Sequence, residues 1–237
     1  MIDCIRDKAH SSPSDTMHHR DSMVTLELGE EEFDNAYTDC AQYSKVNFWD
    51  ETYAAETEPF EWYYPYYKFR AVIRSKLQFN DRVLVTGCGN SNFLEDMADD
   101  GFQQLDGCDF SRIVLDQMRL RCEDLPQISF HLESVVDTDF FDESFDGVID
   151  KALFDSMICA EDGPGKVTQY IHEVDRILLD TGVFILISHS NPEEVLPYLE
   201  QYDIDQPNYS TWIVDVQAVG TLISIRQFCM YRQNKFV

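Results

Sequence analysis

Val83-Leu84-Val85-Thr86-Gly87-Cys88-Gly89-Asn90-Ser91 is the stretch on which the reading of this 237-residue chain turns. An apolar, β-forming run passes directly into a turn with two glycines, and helical spacing follows over residues 92–100. Glycine at such a turn lets the backbone approach a ligand closely, and the first N–H groups of the following helix are free to meet polar atoms. A tight strand-to-helix turn with no ligand would explain the glycines taken alone. Asp109 shifts the balance, because it ends the next predicted strand, about 20 residues on, within Gly107-Cys108-Asp109-Phe110-Ser111. A carboxylate in that place can accept from both hydroxyls of a ribose. Turn and acid together predict an adenosine-containing cofactor. The turn reads G-C-G-N-S-N and lacks the third glycine of the dinucleotide fingerprint, which argues against a nicotinamide dinucleotide.

Outward from this centre the chain alternates short β-rich runs with helical spacing, as in a parallel sheet with crossover helices. Strands are predicted at 82–86, 105–109, 128–132, 145–150 and 183–188, and helices at 92–100, 112–124 and 166–179. Asp180-Thr181-Gly182 reads as the stop of the last of these helices. Beyond Pro192 a helix over 193–201 precedes two β-rich runs, 211–219 and 222–231, close enough to pair as an antiparallel hairpin. Upstream, residues 1–24 are polar and aperiodic and are expected to be a disordered tail. The chain then turns acidic and strongly aromatic, with a helix expected from about Pro65 to Lys76.

Composition narrows the function classes. The formal charge is −26 and the pI near 4.3, so most of the surface repels phosphate backbones. Nucleic acid is therefore not expected as a partner, and a basic protein is. The apolar runs fall far short of the roughly 20 residues that span a bilayer, and the N-terminus has no apolar centre resembling a secretory signal. No membrane association and a cytoplasmic location are expected. Seven cysteines (4, 40, 88, 108, 122, 159 and 229) form no C-x-x-C pair, and the histidines form no H-x-x-x-H or H-E-x-x-H pattern. Reduced thiols and no metal are the expectation.

The flanks of the glycine turn carry a more specific likeness. Phe48-Trp49-Asp50, Tyr53, Phe60-Glu61-Trp62-Tyr63, the turn itself, Asp109-Phe110-Ser111 and Ser144-Phe145-Asp146-Gly147-Val148-Ile149-Asp150-Lys151-Ala152-Leu153-Phe154-Asp155 cover most of residues 43–188. In these the chain resembles the class I S-adenosylmethionine-dependent methyltransferases, in particular the methyltransferase-like family that includes the elongation factor 1-alpha lysine methyltransferases. The terminal hairpin suits their seven-stranded α/β sheet, with helices on both faces. The resemblance implies one methyltransferase domain over 25–237, made of an aromatic cover (25–76) and an α/β core (77–237). It also implies S-adenosylmethionine as cofactor, with contacts from Trp49, Tyr53 and Trp62 in the cover, and Gly87, Gly89, Asp109 and Phe110 around the turn. Ser134, Val135 and Lys151 complete that set. Thr86 and Ser91 stand where the family often has an acid and a glycine, and Ser134 where it usually has an aspartate.

Each of these residues has a plainer reading. Trp49, Tyr53 and Trp62 could be core, although aromatic faces attract a sulfonium cation. Asp150-Lys151 could be a surface ion pair, but the carboxyl end of a central strand faces the crevice where open α/β sheets bind ligands. Asp150 is accordingly expected to orient an incoming amine, and Asp155 to be structural. No N-P-P-[YF] strand end is present, which favours a lysine acceptor on a basic protein such as a translation elongation factor. A small-molecule methyltransferase, an aminopropyltransferase and a cofactor-binding adaptor without turnover are the competing readings.

Overall fold

In the computed structural model of the chain, residues 41–200, 212–219 and 225–232 are described. The parallel strands are β1 (Arg82–Thr86), β2 (Gln104–Asp109), β3 (Ile128–Leu132), β4 (Phe145–Lys151) and β5 (Leu178–Ser188). β6 (Trp212–Val219) and β7 (Ile225–Arg232) close the sheet as an antiparallel hairpin. The order is β3-β2-β1-β4-β5-β7-β6, a seven-stranded mixed sheet. Its first crossovers run outward from β1 and the later ones run the other way, so the order reverses between β1 and β4. Ligands bind at such a reversal, beyond the carboxyl ends of the strands.

Both faces are covered, and for that reason the central strands are apolar throughout rather than alternating. On one face, Val83, Val85 and Ile149 pack against α1 (Val46–Ala55), α2 (Arg70–Lys76), α3 (Phe93–Asp100) and α4 (Arg112–Arg121). On the other, Leu84, Val148, Phe184 and Leu186 meet α5 (Leu153–Ile158), α6 (Gly163–Ile177) and α7 (Pro192–Leu199). Consecutive strand residues thus serve different cores, as the two-residue period of a strand dictates.

The predicted elements are present, with instructive differences. α3 stops at Gly101, whose φ of 115° suits a left-handed C-cap that other residues adopt only at a cost. α6 ends earlier than expected, at Ile177, and Asp180-Thr181-Gly182 lies inside β5 instead of stopping the helix. Leu178 is fully buried and pairs directly with Phe145, so pairing takes over before the turn residues are reached, and the register shifts between Phe145 and Gly147. The expected helix at 65–76 is a 3-10 turn, Tyr66–Lys68, followed by α2. Helix α1 had no sequence-based expectation, because its apolar residues, mostly aromatic, follow the helical period only weakly. The tail at 1–24 lies outside the described residues. Among the described residues no helix is long and apolar enough to cross a membrane, and Cys88, Cys108, Cys122, Cys159 and Cys229 are free thiols.

Candidate active site

A cavity of about 610 Å3 lies beyond the carboxyl ends of β1, β2 and β4, at the reversal of strand order. Its floor is the glycine turn. Gly87 and Gly89 have φ of 57° and 52°, a region that favours glycine. A Cβ on Gly87 would stand 3.0 Å from Leu153 Cδ1, and one on Gly89 would stand 2.9 Å from Tyr53 Oη. Glycine is therefore required twice over, for conformation and for space. Asp109 lines the same cavity from the end of β2 and is 5% exposed. Its carboxylate accepts from Gly89 N (3.0 Å) and Ser111 N (2.9 Å), which ties the acid to the turn. Burial pushes its pKa up to about 6, against these backbone N–H groups that favour the charge.

Phe110, Ser134 and Val135 line the cavity beyond Asp109, and Trp49, Tyr53 and Trp62 form the wall facing the turn. Trp49 and Tyr53 lie one turn apart on α1, and their rings stack at 5.5 Å. The helix is held by Ser111 Oγ, which donates to Asp50 (2.5 Å), and by Gln117 Nε2, which donates to Tyr53 O (2.8 Å). All ten cofactor-contact residues expected from the sequence therefore line one cavity: Trp49, Tyr53, Trp62, Gly87, Gly89, Asp109, Phe110, Ser134, Val135 and Lys151.

Asp150 does not. It and Lys151 are neighbours on β4 and point to opposite faces, so the expectation that both face the crevice holds for Lys151 alone. The Asp150 carboxylate is fully buried and accepts from the N–H groups of Leu153 (2.9 Å) and Phe154 (3.0 Å) at the start of α5. Burial, with the nearby Asp155 charge, pushes its pKa up to about 8. Thr86, its register partner on β1, shares that face and meets the Tyr170 hydroxyl at 2.7 Å. The turn that Asp150 caps carries Ala152, with φ of 76°, and Leu153, which packs against Gly87.

Sequence reading passed over two constellations. Lys151 is 8% exposed, and its Nζ donates to Glu61 Oε2 (2.6 Å) and to Trp62 O (3.1 Å). Burial lowers its pKa, and the Glu61 charge works in the opposite direction. Glu61 also accepts from Ser91 Oγ (2.8 Å) and Asn92 N (2.7 Å), at the entrance to α3. The second constellation centres on Asp155, which accepts from Tyr63 Oη (2.7 Å), Ser188 Oγ (2.7 Å) and Ser190 Oγ (2.8 Å) and pairs with His189 Nδ1 (3.1 Å). Burial opposes the Asp155 charge, yet the bonds from His189, Ser188 and Tyr63 hold its pKa below the usual carboxylate range. Tyr63 has φ of 65°, which costs a non-glycine residue on the order of 1 kcal/mol. The acid–tryptophan pair Glu61-Trp62 was the available signal for the first constellation. No local pattern marks the second.

Seven strands in this order, with a glycine turn after β1 and an acid at the end of β2 facing one crevice, define a class I methyltransferase fold. A family model described as a methyltransferase domain matches residues 83–182. A solved S-adenosylmethionine-dependent methyltransferase from Methanosarcina mazei superposes with a TM-score of 0.51 at 16% identity, over 68% of this chain and 96% of that one. The chain therefore has the class I methyltransferase fold, and its residues 83–182 match the methyltransferase domain model. In sequence it is similar to EEF1A lysine methyltransferase 4 of Mus musculus, 34% identical over 161 residues, which are 64% of this chain and 63% of the relative. It is also similar to the eEF1A lysine and N-terminal methyltransferase of Danio rerio, 33% identical over 149 residues, 62% of this chain and 21% of the relative. The chain spans less than two thirds of the length of these curated relatives.

Proposed function

We propose that the protein is an S-adenosylmethionine-dependent protein-lysine methyltransferase of the cytoplasm, whose acceptor is a lysine of the translation elongation factor eEF1A. Residues 25–237 act as one methyltransferase domain in this reading. The observation that carries it is the single cavity with a glycine turn and a buried carboxylate on one wall and aromatic rings on the other. The residues fit an adenosylated sulfonium. Gly87 and Gly89 hold the turn in a left-handed conformation against Leu153 and Tyr53, where a Cβ would collide, and so keep the backbone at the cavity surface. Asp109 supplies a buried acceptor for ribose hydroxyls, and Phe110, Ser134 and Val135 border the space left for the base.

When bound, the cofactor supplies a methyl group on a positively charged sulfur. The chain's part is to align an acceptor nitrogen in line with that group and to exclude water. A lysine amine is mostly protonated at pH 7, and removing its proton costs about 4–5 kcal/mol from a reference pKa near 10.4. Trp49, Tyr53 and Trp62 offset part of this by desolvating the amine, which favours its neutral form. Asp150 acts as a positioning residue: it holds the start of α5, and with it Leu153 against Gly87, without touching the acceptor.

Support for eEF1A comes from the names of the relatives and from charge. A chain of formal charge −26 attracts a basic partner. The test is transfer of radiolabelled methyl from S-adenosylmethionine into purified eEF1A and into fractionated lysate, at rising ionic strength. Labelling of eEF1A on lysine, weakening as salt screens the attraction, is the expected result. Label confined to small metabolites, or no label in any fraction, would overturn the lysine reading.

A further inference from the structure

Between α1 and the 3-10 turn at Tyr66 the chain crosses the mouth of the cavity as a strap without helix or strand. Phe60 and Trp62 of this strap, and Glu56 at its start, line the cavity. No backbone ladder fixes it, so its place depends on its ring packing and on the polar bonds its residues make. Those bonds fall into two groups at either side of Trp62.

On the near side the strap is tied to the glycine turn and the end of β4. Asn90 Nδ2 donates to Glu58 O (2.8 Å), and Phe60 N donates to Asn90 Oδ1 (3.3 Å). Glu61 receives Ser91, Asn92 and Lys151, and Lys151 lies with its Nζ 5.5 Å from the centre of the Phe93 ring. On the far side Tyr63 Oη donates to Asp155 Oδ2 and stands 3.0 Å from His189 Nδ1. Asp155 is in turn fixed by Ser188 and Ser190 at the end of β5. A residue with the unfavourable φ of Tyr63 persists only where its surroundings hold it, and this hydroxyl is one such hold.

We propose that Glu61 and Tyr63 are positioning residues that latch the strap at two points, and that these latches set how long the cofactor and its demethylated product stay bound. The Glu61 latch joins the strap to the turn that cradles the cofactor, and its release leaves Phe60 and Trp62 held by only the backbone bonds to Asn90 and Lys151. The Tyr63 latch prevents the strap from swinging about its second end. Neither Glu61 nor Tyr63 lines the cavity, so each acts through the neighbours it holds. Segments held by side-chain contacts without a backbone ladder open at lower free energy than the sheet beneath them, which makes the strap the natural exit. This inference rests on the cofactor reading proposed above, and its test needs no acceptor.

Stopped-flow fluorescence of the full chain reports S-adenosylhomocysteine release directly, because Trp49 and Trp62 line the cavity. Glu61→Gln removes the charge that pairs with Lys151, and Tyr63→Phe removes only the hydroxyl. Each is expected to raise the dissociation rate at least tenfold while the association rate changes less than threefold, and Glu61→Asp is expected to recover part of the loss. Melting temperature is read in parallel, and Tyr63→Phe carries the test if Glu61→Gln folds poorly. Dissociation within twofold of the wild type in Tyr63→Phe, with binding intact, overturns the inference alone. Absence of S-adenosylhomocysteine binding to the wild type overturns the cofactor reading and the inference with it.

Discussion

Asp109→Asn offers the sharpest test of the proposed cofactor site, because it separates binding from folding. The wild-type carboxylate accepts from Gly89 N and Ser111 N and, in the proposed complex, from two ribose hydroxyls. Asparagine keeps one oxygen and replaces the other with a donor, so at least one charge-assisted bond is lost and a second is weakened. At about 1.5–3 kcal/mol for a hydrogen bond to a charged group, a loss of about 2–4 kcal/mol in affinity is expected, roughly 30-fold or more. The fold should survive. The folded-state pKa of about 6 lies above the ordinary 3.8, so the contribution of this group to stability is present below 3.8 and lost as pH rises through 6. Neutralising it therefore offsets the lost backbone bonds, and the melting temperature at pH 8 should stay within a few degrees. Calorimetric titration with S-adenosylhomocysteine at pH 8 and pH 5.5 checks both sides. Wild-type affinity should fall at the lower pH, where the protonated carboxyl accepts less well, and the variant should be nearly insensitive. An unchanged dissociation constant in the variant, or a wild-type affinity independent of pH across 6, would refute the role given to Asp109.

Two further substitutions test the turn and the hidden acid. Gly89→Ala places a Cβ 2.9 Å from Tyr53 Oη at a φ of 52°, and is expected to cost on the order of 1–2 kcal/mol of stability by denaturant unfolding and to abolish measurable S-adenosylhomocysteine binding. Asp150→Asn removes a group whose pKa is raised from 3.8 to about 8, so the wild type should lose stability more steeply than the variant as pH climbs from about 4 to 8. Thermal melts across that range decide it, and parallel slopes would show that Asp150 does not titrate there.

The alternation of elements, the glycine turn and Asp109 are local facts, and the sequence by itself determined them. Strand and helix periods are set over a few residues, and a parallel sheet brings every strand's carboxyl end to one edge, so Gly87, Asp109 and Lys151 had to share a crevice once β1, β2 and β4 were neighbours. The two-residue period also held the answer on Asp150, since a neighbour of a crevice-facing Lys151 must face the opposite core.

Only the tertiary structure decided what the polar side chains do. Glu61 meets Ser91 and Lys151, 30 and 90 residues away, and Tyr63 meets Asp155 and His189, 92 and 126 residues away. Such partners follow from how the cover lies on the sheet, which no periodicity encodes. The same holds for α1, whose stacked Trp49 and Tyr53 become a cavity wall because Asp50 and the Tyr53 carbonyl find donors in Ser111 and Gln117. Apolar pattern fixes which face of an element is buried, but a side-chain hydrogen bond needs two groups brought together within about 3 Å, and long-range packing alone sets that distance.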